Sequence, residues 1–194
     1  MFEQLEKSIR KEIPLSEKLL SEIRDKGKEI RIAKNGYLVK QNEICRYGYF
    51  LNKGTLIQTY LNENGKEIVL GFYVEQVYTF LSSPDSYFNE TGSTFEIKAL
   101  EDCQLIAFHK KELEELSIKY PEFNLFYHKI TATALHNMYL YTSMRLSLSA
   151  EDFYCYLSKN YPAFLHRIPD KYVAQFIGVS KEWYCKIKKK ILKG

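Results

Sequence analysis

Little in this chain of 194 residues could staple it or anchor it. It has only four cysteines, Cys45, Cys103, Cys155 and Cys185, widely scattered and without a CxxC pair. That spacing suggests neither a disulfide framework nor a zinc knuckle, and reduced thiols fit it better. No apolar run approaches the ~20 residues that span a bilayer. The opening MFEQLEKSIRKEI is charged and lacks a signal peptide's apolar stretch, so a soluble cytoplasmic protein, not a membrane one, is expected. Low-complexity tracts and long linkers are also missing. No nucleophile–base grouping, phosphate loop or metal-spaced cluster is evident, which argues against an enzyme, a metal site or a bound cofactor.

Apolar residues, in contrast, make up 45% of the chain, with 16 Tyr and 12 Phe, ample for a packed core. The net charge of +4 is unevenly spread. Between His166 and Gly194 eight Lys and Arg stand against Asp170 and Glu182, a surplus of six, so the remainder is slightly acidic. A basic end on a near-neutral body fits a polyanion partner, or simply a solvated terminal helix.

Periodicity divides the chain into three segments. Leu5, Ile9, Ile13, Leu15, Leu19, Leu20 and Ile23 recur near helical spacing, interrupted at Pro14. From residue 28 to about 110 the pattern is short strands, with Asn35-Gly36 as a tight turn and Asn62 to Gly65 joining a hairpin. Strands at such regular spacing suggest a sandwich or barrel rather than a parallel sheet. Lys111 to Ile118 then reads as a short helix, and Pro121 opens a long one reaching about Leu148. Its stripe, Phe123, Phe126, Ile130, Ala134, Met138, Tyr141 and Met144, could pack on the chain's own strands or on a twin helix. The helix's length, and apolar groups on its other faces, favour the twin and hence a homodimer. Ser149 caps the next helical segment, which opens at Ala150.

Asp170 to Ile191 carries the most information. A helix-turn-helix needs a small residue inside its first helix, a glycine at the turn and apolar inner faces. Counting from Asp170, Ala174 is fifth and Gly178 ninth; Val173, Ile177, Val179, Tyr184 and Ile187 supply the inner groups. Ser180 suits the N-cap of the second helix. Lys181, Glu182, Cys185, Lys186 and Lys189 then face outward toward a major groove, and Lys188 and Lys190 flank it as phosphate contacts. Lysine is a point charge without arginine's planar fork, so bidentate reading of guanine is not assured. Glu182 could accept from a cytosine amino group or stabilise the positive end of its helix.

The whole arrangement resembles the Crp/Fnr family of bacterial transcription regulators. Ala174, Gly178-Val179-Ser180-Lys181-Glu182 and Cys185-Lys186-Ile187-Lys188-Lys189 carry the resemblance at the C-terminal end. Tyr49 to Gly54, Asn64-Gly65-Lys66-Glu67 and Ala99 to Asp102 carry it in the N-terminal half. It implies an α+β fold in three parts: a cyclic-nucleotide-binding-like β-roll over residues 1–120, a central dimerisation helix over 121–148, and a DNA-binding helix-turn-helix over 149–194 lacking a full wing. The implied partners are double-stranded DNA, a second copy through Phe123 to Tyr141, RNA polymerase and an unidentified small-molecule effector. At the places matching Lys181, Glu182 and Lys186 the family reads bases.

The β-roll departs from the nucleotide-binding pattern. Ser93 stands where the family's phosphate-pairing Arg would be and Phe95 where a small Ala would be, and no Gly-Glu pair occurs between Gly71 and Asn89. A hydroxyl cannot replace that charge-assisted bond, so cyclic AMP is not expected to bind. The place of an effector would be Tyr78, Phe88, Thr91, Gly92, Ser93 and Thr94. Tyr73, Tyr78, Phe80, Tyr87 and Phe88 would line an apolar pocket or simply fill the core. Cys45 as first cysteine does not match the clustered cysteines of iron–sulfur relatives, and no spacing singles out a haem-ligating His. The alternative is a ligand-sensing or protein-interaction module that has kept this architecture without DNA binding.

Overall fold

Pro14 and Ser16 divide one amphipathic pattern into two helices. The computed structural model describes residues 1–75 and 77–191, leaving the basic Lys193 and the end of the 149–194 segment outside it. In it these helices are α1 (Phe2–Arg10) and α2 (Glu17–Lys26). Proline cannot continue the first helix, and Ser16 Oγ caps the second by accepting from the Leu19 N–H at 3.2 Å. Leu5, Ile9, Leu19, Leu20 and Ile23 are all buried.

Among the described residues eight strands come next: β1 (Lys28–Ile32), β2 (Tyr37–Val39), β3 (Tyr47–Lys53), β4 (Thr55–Leu61), β5 (Glu67–Val74), β6 (Phe80–Leu81), β7 (Glu96–Ala99) and β8 (Cys103–His109). Turn chemistry sets the connections. Asn35 takes a left-handed backbone and the Gly36 N–H donates to the Ala33 carbonyl at 2.8 Å. Gly65, at φ +72°, closes the turn that pairs Leu61 with Glu67. The strands form two antiparallel sheets of four, ordered β1-β8-β3-β6 and β2-β7-β4-β5. Leu51, Leu56, Ile97, Ala99 and Leu105 fill the space between them.

Both sheets are also covered on the outside. Phe50, Ile106 and Phe108 of the first sheet pack against α1, α2, α4 (Lys110–Lys119) and the start of α5 (Pro121–Ser147). Ile57, Val69, Phe72 and Val74 of the second pack against α6 (Ala150–Asn160), α7 (Pro162–Arg167), α8 (Asp170–Ile177) and α9 (Lys181–Ile191). Two buried faces explain why β3 and β4 read as apolar runs rather than as alternation. An unanticipated helix, α3 (Pro84–Asn89), lies between β6 and β7.

Phe72 joins the second sheet to the C-terminal helices, with edge-on contacts to Phe164 at 5.0 Å and Phe176 at 5.5 Å. Phe72→Ala is expected to destabilise the chain by about 3–5 kcal/mol in urea unfolding, as for other core aromatics. A loss under ~1 kcal/mol would show that this ring does not hold the two parts together.

Candidate nucleic-acid interface and effector pocket

Helices α8 and α9 are locked together by local backbone chemistry. Ala174 is 1% exposed, and its small side chain is what allows a second helix to approach. Gly178 ends α8 in the left-handed region at φ +92°. Its N–H donates to the Gln175 carbonyl at 3.1 Å while the Val179 N–H reaches back to the Ala174 carbonyl at 2.9 Å, a Schellman closure. A Cβ at Gly178 would meet no atom within 4 Å, so only the backbone angle demands glycine there. Ser180 Oγ then accepts from the Trp183 N–H at 3.2 Å and starts α9. Tyr184 and Ile187 are buried against α6 and α8, with Tyr154 edge-on to Tyr184 at 5.6 Å.

The opposite face of α9 is exposed at Lys181, Glu182, Trp183, Lys186 and Lys189, with Cys185 half-buried beside them. Lys188 and Lys190 differ from the phosphate-contact expectation. Lys188 Nζ lies 2.8 and 3.1 Å from the two Asp170 oxygens, and Lys190 Nζ lies 2.7 Å from Glu151. In this structure they brace α9 to the starts of α8 and α6, because the neighbouring helices place carboxylates within reach. The Glu182 carboxyl is held below its ordinary range by its own backbone N–H and the Ser180 hydroxyl, so in the free chain it serves the helix N-terminus. Trp183 is a residue that the charge pattern does not single out. It is 49% exposed, with Lys186 Nζ 5.8 Å from its ring. The signal that finds it is rotation alone: it lies three residues, nearly one turn, before Lys186.

The long helix needs a correction. Phe123 and Phe126 are 3% and 2% exposed and belong to the chain's own core, with Phe126 edge-on to Phe80 at 5.2 Å. Ile130 packs against the same cluster. Tyr141 is taken up within the chain too, its hydroxyl 2.6 Å from that of Tyr78 and its ring 5.9 Å from Phe176. Of the expected interface only Ala134 and Met138 are exposed. The stripe left open runs instead through Leu125, Ala132, Leu135, Tyr139 and Leu146, at heptad spacing, with Met138 beside it. Both faces of α5 are apolar, and periodicity by itself does not say which one the β-roll takes.

The expected effector residues do not converge. Tyr78 is drawn away into a phenol cluster with Tyr141 and Tyr161 that joins the β-roll to α5 and α7. Phe88 is exposed on α3, and Thr91, Gly92 and Thr94 lie beyond it, Thr91 and Thr94 exposed. Ser93 is buried, its hydroxyl 2.6 Å from that of Ser83 and donating to the Phe95 carbonyl at 2.7 Å. Phe95 does not plug the interior. β7 begins only at Glu96, so strand alternation does not carry Phe95 inward; it is half-buried and outside all three apolar clusters.

A carboxylate occupies this region instead. Asp85 accepts from the Thr94 N–H at 2.7 Å and from the Ser83 hydroxyl at 2.8 Å. Burial opposes its charge, yet Thr94 and Ser83 hold the carboxyl below its ordinary range. Among the described residues, no group of three or more His, Cys, Asp or Glu could hold a metal ion.

Residues 29–120 match the family model of the cyclic nucleotide-binding domain. Over that stretch the sequence and its two-sheet β-roll are similar to that domain. Over most of its length the fold is that of known transcription regulators. It is similar to the c-di-GMP responsive global regulator CLP of Xanthomonas campestris, at 16% identity and TM-score 0.71, covering 92% of each chain. It is similar also to FixK2 from Bradyrhizobium japonicum, at 11% identity and TM-score 0.71, covering 86% of this chain and 85% of that one. A CooA mutant from Carboxydothermus hydrogenoformans matches at 14% identity and TM-score 0.69, covering 88% of this chain and 78% of its own. At such identities the likeness is one of fold. No curated protein sequence matches the chain. Among the described residues no helix is long and apolar enough to cross a membrane.

Proposed function

We propose that the chain is a sequence-specific DNA-binding transcription regulator of the Crp/Fnr type, acting as a homodimer. The observation that carries this reading is the division of α9. Tyr184 and Ile187 lock one face into the core, while Lys181, Trp183, Lys186 and Lys189 stand exposed on the other. Among the described residues these three lysines form no ion pair within the chain, whereas Lys188 and Lys190 do. A helix held from behind, with cations and a flat apolar ring in front, suits a major groove: the lysines meet phosphates and base edges, and the indole meets a thymine methyl or sugar. The open stripe on α5 supports pairing of two copies, which sets two such helices against two half-sites. As a regulator of chromosomal DNA it would work in the cytoplasm beside RNA polymerase. The Asp85 carboxylate next to Ser93 and Thr94, with no cation facing them in these contacts, supports a pocket closed to cyclic AMP.

The test is a fluorescence anisotropy titration of the full chain against genomic fragments. Binding is expected to prefer particular fragments and to weaken steeply with salt, by about 0.9 logarithmic units per tenfold salt for each phosphate neutralised. Trp183 is the chain's single tryptophan, so its emission reports on α9 alone. That emission should shift and quench as DNA is added. Weak, sequence-blind binding with unchanged tryptophan emission rejects the reading.

A further inference from the structure

A pocket of about 190 Å³ opens where the β3–β6 edge, α3 and α5 meet. Of the six residues expected around an effector only Phe88 lines it, but of the five aromatics that could line an apolar pocket Tyr73, Phe80, Tyr87 and Phe88 all do. Its walls are Phe80, Phe126 and Ile130, and Tyr49, Tyr87 and Tyr127 supply hydroxyl-bearing rings. Among the described residues, no Asp, Glu, Lys, Arg or His lines it.

We infer that this pocket binds a small uncharged molecule about the size of one substituted ring, such as a simple phenol. Size permits this, since an enclosed apolar cavity of about 150 Å³ in another protein takes up benzene, and this pocket offers similar room with one side open to solvent. Charge supports it too. A phosphate or carboxylate buried here would have no cation in the lining to pair with, which is strongly unfavourable. Burial pushes the Tyr49 phenol above its ordinary range, so it stays neutral and able to donate to a ligand hydroxyl, while Tyr87 is engaged with Tyr127. Placement gives the ligand a consequence. Ile130, Thr131 and Ala134 of α5 line the pocket just where the helix's open stripe continues through Ala132 and Leu135. The site stands without the DNA-binding reading; only its use as a regulatory signal rests on that reading.

Calorimetry on the full chain without DNA tests the site, with phenol and p-cresol as probes and benzoate and cyclic AMP as charged counterparts. Saturable binding of the neutral probes is expected, with little or none of the charged ones. Ala134→Phe puts a ring into the pocket and should weaken phenol binding by about tenfold or more. Its melting temperature should not fall, which separates a filled pocket from an unfolded chain. Ile130→Ala, which enlarges the pocket, should shift preference toward p-cresol. Absence of saturable phenol binding overturns the inference. So does equal binding of benzoate, or an affinity unmoved by Ala134→Phe. If only a monomeric variant binds phenol, the partner's helix fills the pocket and the inference likewise falls. DNA affinity measured with and without phenol then reports on regulation alone.

Discussion

Exchanging Lys181 and Lys186 together for alanine is expected to lower affinity for a preferred DNA fragment by about 100-fold, or ~2.8 kcal/mol. Lys181 and Lys186 are both exposed, and neither forms an ion pair among the described residues. Thermal stability should therefore move by no more than about 0.5 kcal/mol, so the loss reads as a loss of contact with DNA. The salt slope separates their roles. A lysine on phosphate lowers the slope by about one when removed and leaves sequence preference intact, whereas one on a base edge relaxes preference at that position. Lys188 should behave differently. It is tied to Asp170 at the start of α8, so Lys188→Ala should loosen the α8–α9 pair more than it weakens DNA contact. An unchanged affinity in the Lys181, Lys186 double variant would mean that α9 is not the reading helix.

Turning Leu135 and Tyr139 of α5 into glutamate should yield a folded monomer by light scattering at micromolar concentration. It should also cost more than about 100-fold in affinity for a two-half-site fragment. Full burial of each such side chain is worth about 1.5–3 kcal/mol, and two opposed rows of acids would reverse that gain. Both positions are exposed in the single chain, Leu135 at 47% and Tyr139 at 63%, so the monomer's own core is untouched. Phe123→Glu is the contrasting control. It buries a charge among Leu116, Phe126 and Ile9 and should unfold the chain rather than split a dimer. A wild-type chain that is already monomeric under these conditions would refute the pairing along α5.

The long helix also shows where reading the chain from its residues reaches its end. Its extent from Pro121 was legible because proline, capping and helical spacing are local. Which stripe meets the β-roll was not, because apolar residues occur on both sides and the choice depends on Phe80 and Leu116, which no spacing along α5 reveals. Tyr78 makes the same point. Nothing near it in the chain announces that Tyr141 and Tyr161, distant in sequence, would draw its hydroxyl away from the Ser93 region.

At Ser93 the absence of a cation was readable from residue identity alone, and the contacts add Asp85 to it. The size of the pocket beside α3 was not readable, since it is the gap left by three elements meeting.

Residue identity and order by themselves set the turns at Asn35-Gly36, Asn62 to Gly65 and Gly178, the caps at Ser16, Ser149 and Ser180, and the inward set of Ala174, Tyr184 and Ile187. Each of these rests on backbone conformation and hydrogen bonds within a few residues. Tertiary structure alone decided which face of α5 was left open. It tied Lys188 and Lys190 to carboxylates, exposed Trp183 beside Lys186, and put a carboxylate beside Ser93. Those outcomes depend on what lies across a packed interface. Pairs that meet there are brought together by the burial of apolar surface elsewhere, which is non-directional and leaves no periodic trace in the segment concerned.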